Sequence, residues 1–424
     1  MKICVFGLWH LGCVTAACLA DKGFEVVGLD PSEEVVNNLN KGIPPISEPE
    51  LENLIEINLD DNLQFTTEME SAIKDAEVVW VTFDTPVDDN DNADEIYVKQ
   101  QIMSIFPYLQ SGMTVLISSQ LSVGSTRKIE EEYRKWFKNP NVYFAYSPEN
   151  LRLGKAIDVF NNPERIVIGI NRDHASVGTL ESLFEDNYSK ILWMSLESAE
   201  MTKHVLNSFL ATEVAFINEI ATICERTGAD IRDVERGLKS DSRIGQKAYL
   251  KAGSSFAGGT LARDLKFLNS IKITPQISAT LESNDEHKFW AIHVLREHFD
   301  FELVGKNVAI MGLTYKPDTN TLRRSSSVEL CKKLLEFGVN IKTHDPSIKE
   351  LPKEYSNLNL CLTIREAIHS VDAIVIATEW EDYKCLKELA NLHKNFVVID
   401  ANNFLKDSLT KSKNIKYYSV GRGI

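Results

Sequence analysis

The feature that most constrains this chain is a unit that occurs twice, once near each end: an apolar strand closing on glycine, a crossover helix, and a second apolar strand closing on aspartate. The first runs from Lys2 to Gly7, through Leu-Trp-His-Leu-Gly12 and an Ala-rich segment to Lys22, then from Phe24 to Asp30. The second runs from Asn307 to Gly312, through Lys316 and Pro317, along a helical stretch from Ser326 to Phe337, then from Val339 to Asp345. A buried parallel strand needs the apolar run, and the glycine lets the backbone turn tightly into the helix. Asp30 follows Gly12 by 18 residues, where a carboxylate can accept hydrogen bonds from a ribose. Two such units in one chain predict two nucleotide-shaped sites, one for a cofactor and one for a nucleotide-bearing substrate.

The first unit departs from the dinucleotide fingerprint G-x-G-x-x-G at its middle position, which is Trp9. Glycine there lets the backbone approach a pyrophosphate. Two readings stand on the residues alone. Gly7, Trp9, His10, Leu11, Gly12 and Asp30 form a cofactor site, or the segment is a plain βαβ unit with no ligand.

The rest of the chain keeps the same rhythm. Its 424 residues allow two to three domains. Strands are predicted at Ala76–Phe83, Met113–Ser119, Val142–Tyr146 and Arg165–Ile170, alternating with helical patterns, which implies a parallel sheet. From Ser195 to about Cys224 one long pattern places Met201, Val205, Phe209, Val214, Ile217 and Ile220 at helical spacing. More helices follow to about His298. Strands resume at Val304 and continue through Ala373–Ala377 and Phe396–Asp400. The predicted fold class is α/β: two Rossmann-like doubly wound parallel-sheet domains, 1–195 and 301–424, joined by a helical middle domain, 196–300, with a long central helix. The first domain is expected to bind the cofactor and the last the nucleotide of the substrate. The central helix is long enough to pack against its own copy in a homodimer.

Composition narrows the partners. A net charge of −15 argues against nucleic acid and anionic membrane, which want a basic surface. Local Lys, Arg and helix N-termini can still hold an anionic small molecule. The seven cysteines are scattered without C-x-x-C, and the nine histidines form no ligand-spaced cluster, so neither a disulfide framework nor a metal site is expected. The apolar run over residues 3–20 is broken by His10 and two glycines and continues into the strand ending at Asp30, unlike a signal peptide. With no membrane span, the expected compartment is cytoplasmic.

Central and flanking segments carry a resemblance. Lys203-His-Val-Leu-Asn207-Ser-Phe-Leu-Ala211, Phe216-Ile-Asn-Glu-Ile220 and the run from Tyr249 to Asp264 are similar to the nucleotide-sugar dehydrogenases of the UDP-glucose 6-dehydrogenase type. Ser147-Pro-Glu149-Asn-Leu-Arg152 resembles that family's N-P-E-F-L-R segment, Gly312-Leu-Thr-Tyr-Lys316 with Arg323 its G-L-x-x-K and Arg, and Val398–Asn403 its closing strand. The similarity runs in order from Met1 to Gly423. It implies NAD as cofactor and a nucleotide sugar, UDP-linked rather than GDP-linked, as substrate, with a place in polysaccharide biosynthesis.

By that resemblance, such enzymes oxidise a primary alcohol to a carboxylate with two NAD+, trapping the intermediate aldehyde on a cysteine thiolate. Covalent capture needs a readily ionised nucleophile. Here the family's A-G-P-G-Y-G-G-S-C-F-P-K-D aligns without a gap to Ala252–Asp264 and puts Thr260 at the cysteine. Two further positions have changed: a water-holding threonine is Gln120, and the second glutamate of P-E-F-L-R-E is Leu153. Lys203 and Asn207, four apart on one helix, remain to bind an alkoxide and its neighbouring hydroxyl as a hydride leaves. Asp264 keeps the active-site acid, and Glu149 follows Pro in a loop after a strand. Thr260 hydrogen-bonds the substrate or merely fills the space.

The resemblance further implies Thr85, Gln120, Arg263 and Arg323 on the cofactor side. On the substrate side it implies Glu149, Leu151, Arg152, Lys203, Asn207, Arg243, Tyr249, Lys251, Gly253, Phe256, Gly258 and Lys316. The leading expectation is a single hydride transfer from a nucleotide sugar, giving a keto- or aldehydo-sugar. The alternatives are an NAD-retaining epimerase, a four-electron 6-dehydrogenase working without a covalent intermediate, and a catalytically dead nucleotide-sugar-binding relative.

Overall fold

The computed structural model describes residues 1–59, 61–86, 88, 93–137, 141–148, 151–171, 176–256, 259–317, 319–322, 325–386, 396–409 and 415–422. The chain divides into two compact units, Met1–Val205 and Leu206–Ile424.

The first unit is built on eight strands: β1 Lys2–Phe6, β2 Glu25–Leu29, β3 Leu63–Thr66, β4 Val78–Val81, β5 Thr114–Ile117, β6 Tyr143–Tyr146, β7 Ile166–Ile170 and β8 Ile191–Met194. They lie in the order β3-β2-β1-β4-β5-β6-β7-β8. Alternation along β1 shows why the run must be apolar throughout. Ile3 and Val5 enter a core with the helix His10–Asp21, while Cys4 and Phe6 enter the core on the opposite face with Val79, Val81 and Ile117. Neighbours are parallel except β6 and β7. Among its described residues the link between those two carries only the six-residue helix Ala156–Asn161, and the chain turns back along β6 instead of crossing to its starting edge.

The second unit carries five parallel strands, β9 Asn307–Met311, β10 Asn340–His344, β11 Ala373–Ile376, β12 Phe396–Asp400 and β13 Ile415–Tyr418, in the order β10-β9-β11-β12-β13. Val308 and Ile310 share one core with Ile217, Ala221, Trp290, Val294 and Leu295 from the helices that precede the sheet. Ala309 and Met311 face the other side, packing with Ile368, Tyr383 and Val398.

The long helix runs from Leu196 to Thr227, 32 residues, close to the span that its apolar spacing predicts. The expected class holds: two α/β sheets, with helical segments between them. Among the described residues, no helix is long and apolar enough to cross a membrane.

Candidate active site

The glycine turn after β1 is shaped by sterics. Gly7 has φ +104°, a left-handed conformation, and a Cβ on Gly12 would stand 1.8 Å from the Gly7 carbonyl oxygen. Trp9 sits between them at φ −100° and ψ −152°, extended backbone that any residue adopts. The missing glycine therefore costs no strain, and the indole is left 46% exposed at the mouth of the turn. No described side chain caps the helix that begins at His10, and an uncapped helix N-terminus suits an anion.

Asp30 is buried at the carboxyl end of β2. Its Oδ2 accepts the Leu8 N–H at 2.7 Å and its Oδ1 the Ser32 N–H at 2.9 Å. One donor per oxygen leaves each with room for a ribose hydroxyl. Glycine turn, open helix terminus and strand-end carboxylate together fit a dinucleotide. Leu11 is buried behind the turn. The Thr85 hydroxyl donates to the Gln120 carbonyl at 2.6 Å, tying the loops after β4 and β5 together.

Helix Leu196–Thr227 fixes the loop that carries Gln120. Glu200, fully buried, accepts the Gly124 N–H at 2.5 Å and both the N–H and hydroxyl of Thr126 at 2.8 and 2.7 Å. Burial pushes the Glu200 carboxyl up, against the pull of the Thr126 and Gly124 donors. One turn on, His204 Nε2 donates to the Leu121 carbonyl at 3.1 Å. Lys203 lies between them in the chain and is half-buried. Sequence reasoning missed Glu200 and His204. Their offset of four on one helix face is the signal that marks them.

In the second unit, Asn207 Nδ2 donates to Asp264 Oδ2 at 2.5 Å, and both side chains are buried. Asp264 belongs to the helix Gly259–Ile271, with Thr260 in its first turn and four residues earlier, hence on the same face. Arg263 is half-buried on that helix.

The segment leading in is held on every side. The Gly253 N–H donates to Asn218 Oδ1 at 3.0 Å and its carbonyl accepts from His287 Nε2 at 2.7 Å. Asn402 Oδ1 accepts the Ser254 N–H at 2.7 Å, and a Cβ on Gly253 would stand 2.2 Å from that same oxygen. Phe256 exchanges both backbone bonds with the Asn284 amide, at 2.9 and 3.1 Å. Burial holds the His287 imidazole below its usual range, so it is neutral at pH 7 with the proton on Nε2. Beside this segment, at the carboxyl ends of β11 and β12, a small cleft is lined by Ser254, Ser255, Ser326, Ser327 and Lys288, the last with its ammonium paired to Asp285 at 2.8 Å and Glu329 at 3.4 Å.

Leu151 is half-buried and Arg152 exposed in the first unit. Arg243 is exposed and paired with Asp241 at 2.7 Å. Tyr249 is 57% exposed, and its N–H donates to the Glu213 carboxylate. Lys251 is exposed near Glu379, and Lys316 Nζ lies 5.5 Å from the centre of the Tyr315 ring. Glu149, Gly258 and Arg323 lie outside the described residues.

Six of the seven thiols are buried and only Cys385 is exposed. Burial pushes Cys4, Cys18 and Cys331 up to about 12, so these are small hydrophobes and not nucleophiles.

Comparison with known proteins agrees with this geometry. Profiles of the UDP-glucose/GDP-mannose dehydrogenase family match in chain order: the NAD binding domain over residues 1–188, the central domain over 197–286 and the UDP binding domain over 309–407. The chain is 35% identical over 439 residues to the UDP-glucose 6-dehydrogenase of Rickettsia bellii, covering 100% of both chains. It is 32% identical to that of Bacillus subtilis, covering 99% of this chain and 93% of the other. A solved UDP-glucose dehydrogenase from Pyrobaculum islandicum superposes with a TM-score of 0.83 at 26% identity, covering 100% of this chain and 98% of that one. Glycine turn, strand-end carboxylate and the paired Asn207 and Asp264 thus stand in a chain that belongs to the UDP-glucose/GDP-mannose dehydrogenase family, whose members are NAD-dependent nucleotide-sugar dehydrogenases.

Proposed function

We propose that this chain oxidises a UDP-hexose by a single hydride transfer and releases a carbonyl sugar. The observation that carries the reading is Thr260, four residues before Asp264 on one helix, where the resemblance puts a cysteine. An aliphatic hydroxyl is not ionised near pH 7 and does not trap an aldehyde as a thiolate does. The UDP preference is supported by the names of the 35% and 32% identical relatives.

When bound, NAD supplies the hydride acceptor, and the Gly7–Gly12 turn with Asp30 is the part of the chain that would hold it. Lys203, as an ammonium, stabilises the alkoxide that develops while the C–H bond breaks. The Asn207 amide is oriented by its 2.5 Å bond to Asp264 and directs its remaining capacity at the neighbouring hydroxyl. Asp264, so anchored, accepts the proton that leaves the reacting hydroxyl. A secondary alcohol then ends as a ketone, which has no further hydrogen to give. Leu151, Arg152, Arg243, Tyr249, Lys251, Gly253, Phe256 and Lys316 are assigned to the nucleotide sugar.

The decisive assay counts NADH formed per UDP-sugar consumed. One is expected. Two, with a uronic acid, means the four-electron route, and sugar turnover with no net NADH means epimerisation.

The active form is a homodimer in this reading. Phe209, Phe216 and Ile223, seven residues apart on the long helix, are 61%, 48% and 56% exposed, an apolar seam of the kind that pairs helices. Location in the cytosol belongs to the same reading.

A further inference from the structure

We propose that Glu48 is a positioning residue that couples the cofactor turn of the first unit to the segment 151–156. The proposal rests on the reading of that segment as part of the substrate site. Glu48 lies between the helices Glu33–Leu39 and Leu51–Asn58, and its side chain is only 1% exposed. Its Oε2 accepts from His10 Nε2 at 3.0 Å and from the Gly154 N–H at 2.8 Å, and its Oε1 accepts the Ala156 N–H at 2.9 Å. One carboxylate thus joins chain segments 38 and 106 residues away from it.

The two ends of this bridge are functional by position. His10 is the first residue of the helix whose N-terminus forms the anion site, next to Trp9. Gly154 and Ala156 close the stretch that begins with Leu151 and Arg152. Burial raises the Glu48 carboxyl, but the Gly154, Ala156 and His10 donors outweigh it and hold the group below its usual range, so it is ionised at neutral pH. Charge-assisted bonds in a buried setting are short-ranged and directional. A shift of His10 as a diphosphate settles on the turn therefore moves the carboxylate, and through it the N–H groups of Gly154 and Ala156. By linkage the effect runs equally in reverse.

Titration calorimetry on the full chain tests this, measuring NAD+ affinity with and without saturating UDP. Wild type should bind NAD+ about fivefold or more tightly when UDP is present, the lower end of ordinary coupling. In Glu48→Gln the side-chain volume is kept but an amide N–H₂ meets N–H donors, and the ratio should fall to within about twofold. His10→Ala, which leaves Glu48 bonded to Gly154 and Ala156, should lose the coupling as well, and it carries the test if Glu48→Gln does not fold. A residue that merely supported the fold would lower the melting temperature and leave the ratio intact, and that result overturns the proposal. Binding of NAD+ and UDP to wild type as independent events overturns it too, while leaving the proposed function standing. No UDP binding by wild type would overturn both.

Discussion

Asp30 and Asp345 occupy the same place in the two repeated units and use their carboxylates differently. In each unit the glycine N–H donates to the carbonyl just before the acid, Gly7 to Leu29 at 2.9 Å and Gly312 to His344 at 2.7 Å. The following N–H donates to the acid itself, Leu8 to Asp30 at 2.7 Å and Leu313 to Asp345 at 2.8 Å. In both, Oδ1 accepts the N–H two residues on, Ser32 at 2.9 Å and Ser347 at 3.0 Å, and there the likeness ends. Asp345 Oδ2 also accepts from the Thr314 N–H, the Thr314 hydroxyl and Trp380 Nε1, at 3.0, 3.0 and 3.2 Å. Its Oδ1 takes both the N–H and hydroxyl of Ser347 at 3.0 and 2.8 Å. Asp345 is saturated from within, and of this pair only Asp30 has capacity left for a ribose.

Asp30→Ala should weaken NAD+ binding about 10- to 100-fold, since a hydrogen bond to a charged group contributes about 1.5–3 kcal/mol. The preference over NADP+ should relax in parallel, because the carboxylate no longer repels a 2′-phosphate. Calorimetry with both cofactors checks this. Equal affinity for the two in wild type would contradict the assignment.

Asp345→Ala should instead cost stability, about 3 kcal/mol, by leaving several buried donors unmet. The ratio of affinities for UDP and 2′-deoxy-UDP should not move. Burial raises the Asp345 carboxyl, but the N–H groups of Thr314, Leu313 and Ser347 bring it below its usual range. A depressed folded value gives stability that is full above the unfolded value of about 4 and is lost as pH falls from there through the folded one. The melting-temperature gap between wild type and variant should therefore be constant at neutral pH and narrow below about pH 4.

Lys203→Ala should reduce kcat about 100-fold or more, the scale of losing one transition-state donor. Its melting temperature should stay close to wild type, because a half-buried lysine contributes little to a core. A collapse of the folded state would mark Lys203 as structural.

Thr260→Cys places a thiol in the first turn of a helix, where the dipole favours a thiolate. If the sugar presents its 6-hydroxyl, mass spectrometry of the variant with NAD+ and UDP-glucose should find a covalent sugar-nucleotide adduct. If the reaction takes place at a ring carbon, no adduct forms and turnover is nearly unchanged. Uronic acid made by wild type, with Thr260 in place, would refute the single-transfer reading.

Phe216→Glu should convert a wild-type dimer to monomer at micromolar concentration, read by sedimentation velocity, because the charge falls in the middle of the Phe209–Ile223 seam. A monomeric wild type would sink the seam.

What the sequence makes legible follows from physics local to the chain. The strands predicted from apolar runs include every interior strand of both sheets, buried on two faces. The three that no reading found, β3, β8 and β13, are all edges. Leu63–Thr66 alternates buried and exposed, and Ile191–Met194 and Ile415–Tyr418 contain exposed residues, which gives four-residue runs too little contrast to stand out. The site divides in the same way. Gly7, Gly12 and Asp30 sit in one continuous motif and are visible as text. Glu48, Glu200 and Asn402 act on backbone 74 to 148 residues away, and a carboxylate whose partners are distant N–H groups looks in sequence like any surface acid. Even Asn218, inside a segment that resembles the family, gave no hint that its amide holds Gly253.

Trp9 gives the enzyme an optical window onto its own chemistry. An indole at the mouth of the dinucleotide turn emits in the band that reduced nicotinamide absorbs and the oxidised form does not. Each turnover should therefore be visible as quenching by energy transfer, within a single enzyme-bound cycle and before any product leaves. With a phenylalanine in place of Trp9, the remaining five tryptophans supply the background against which that signal is read.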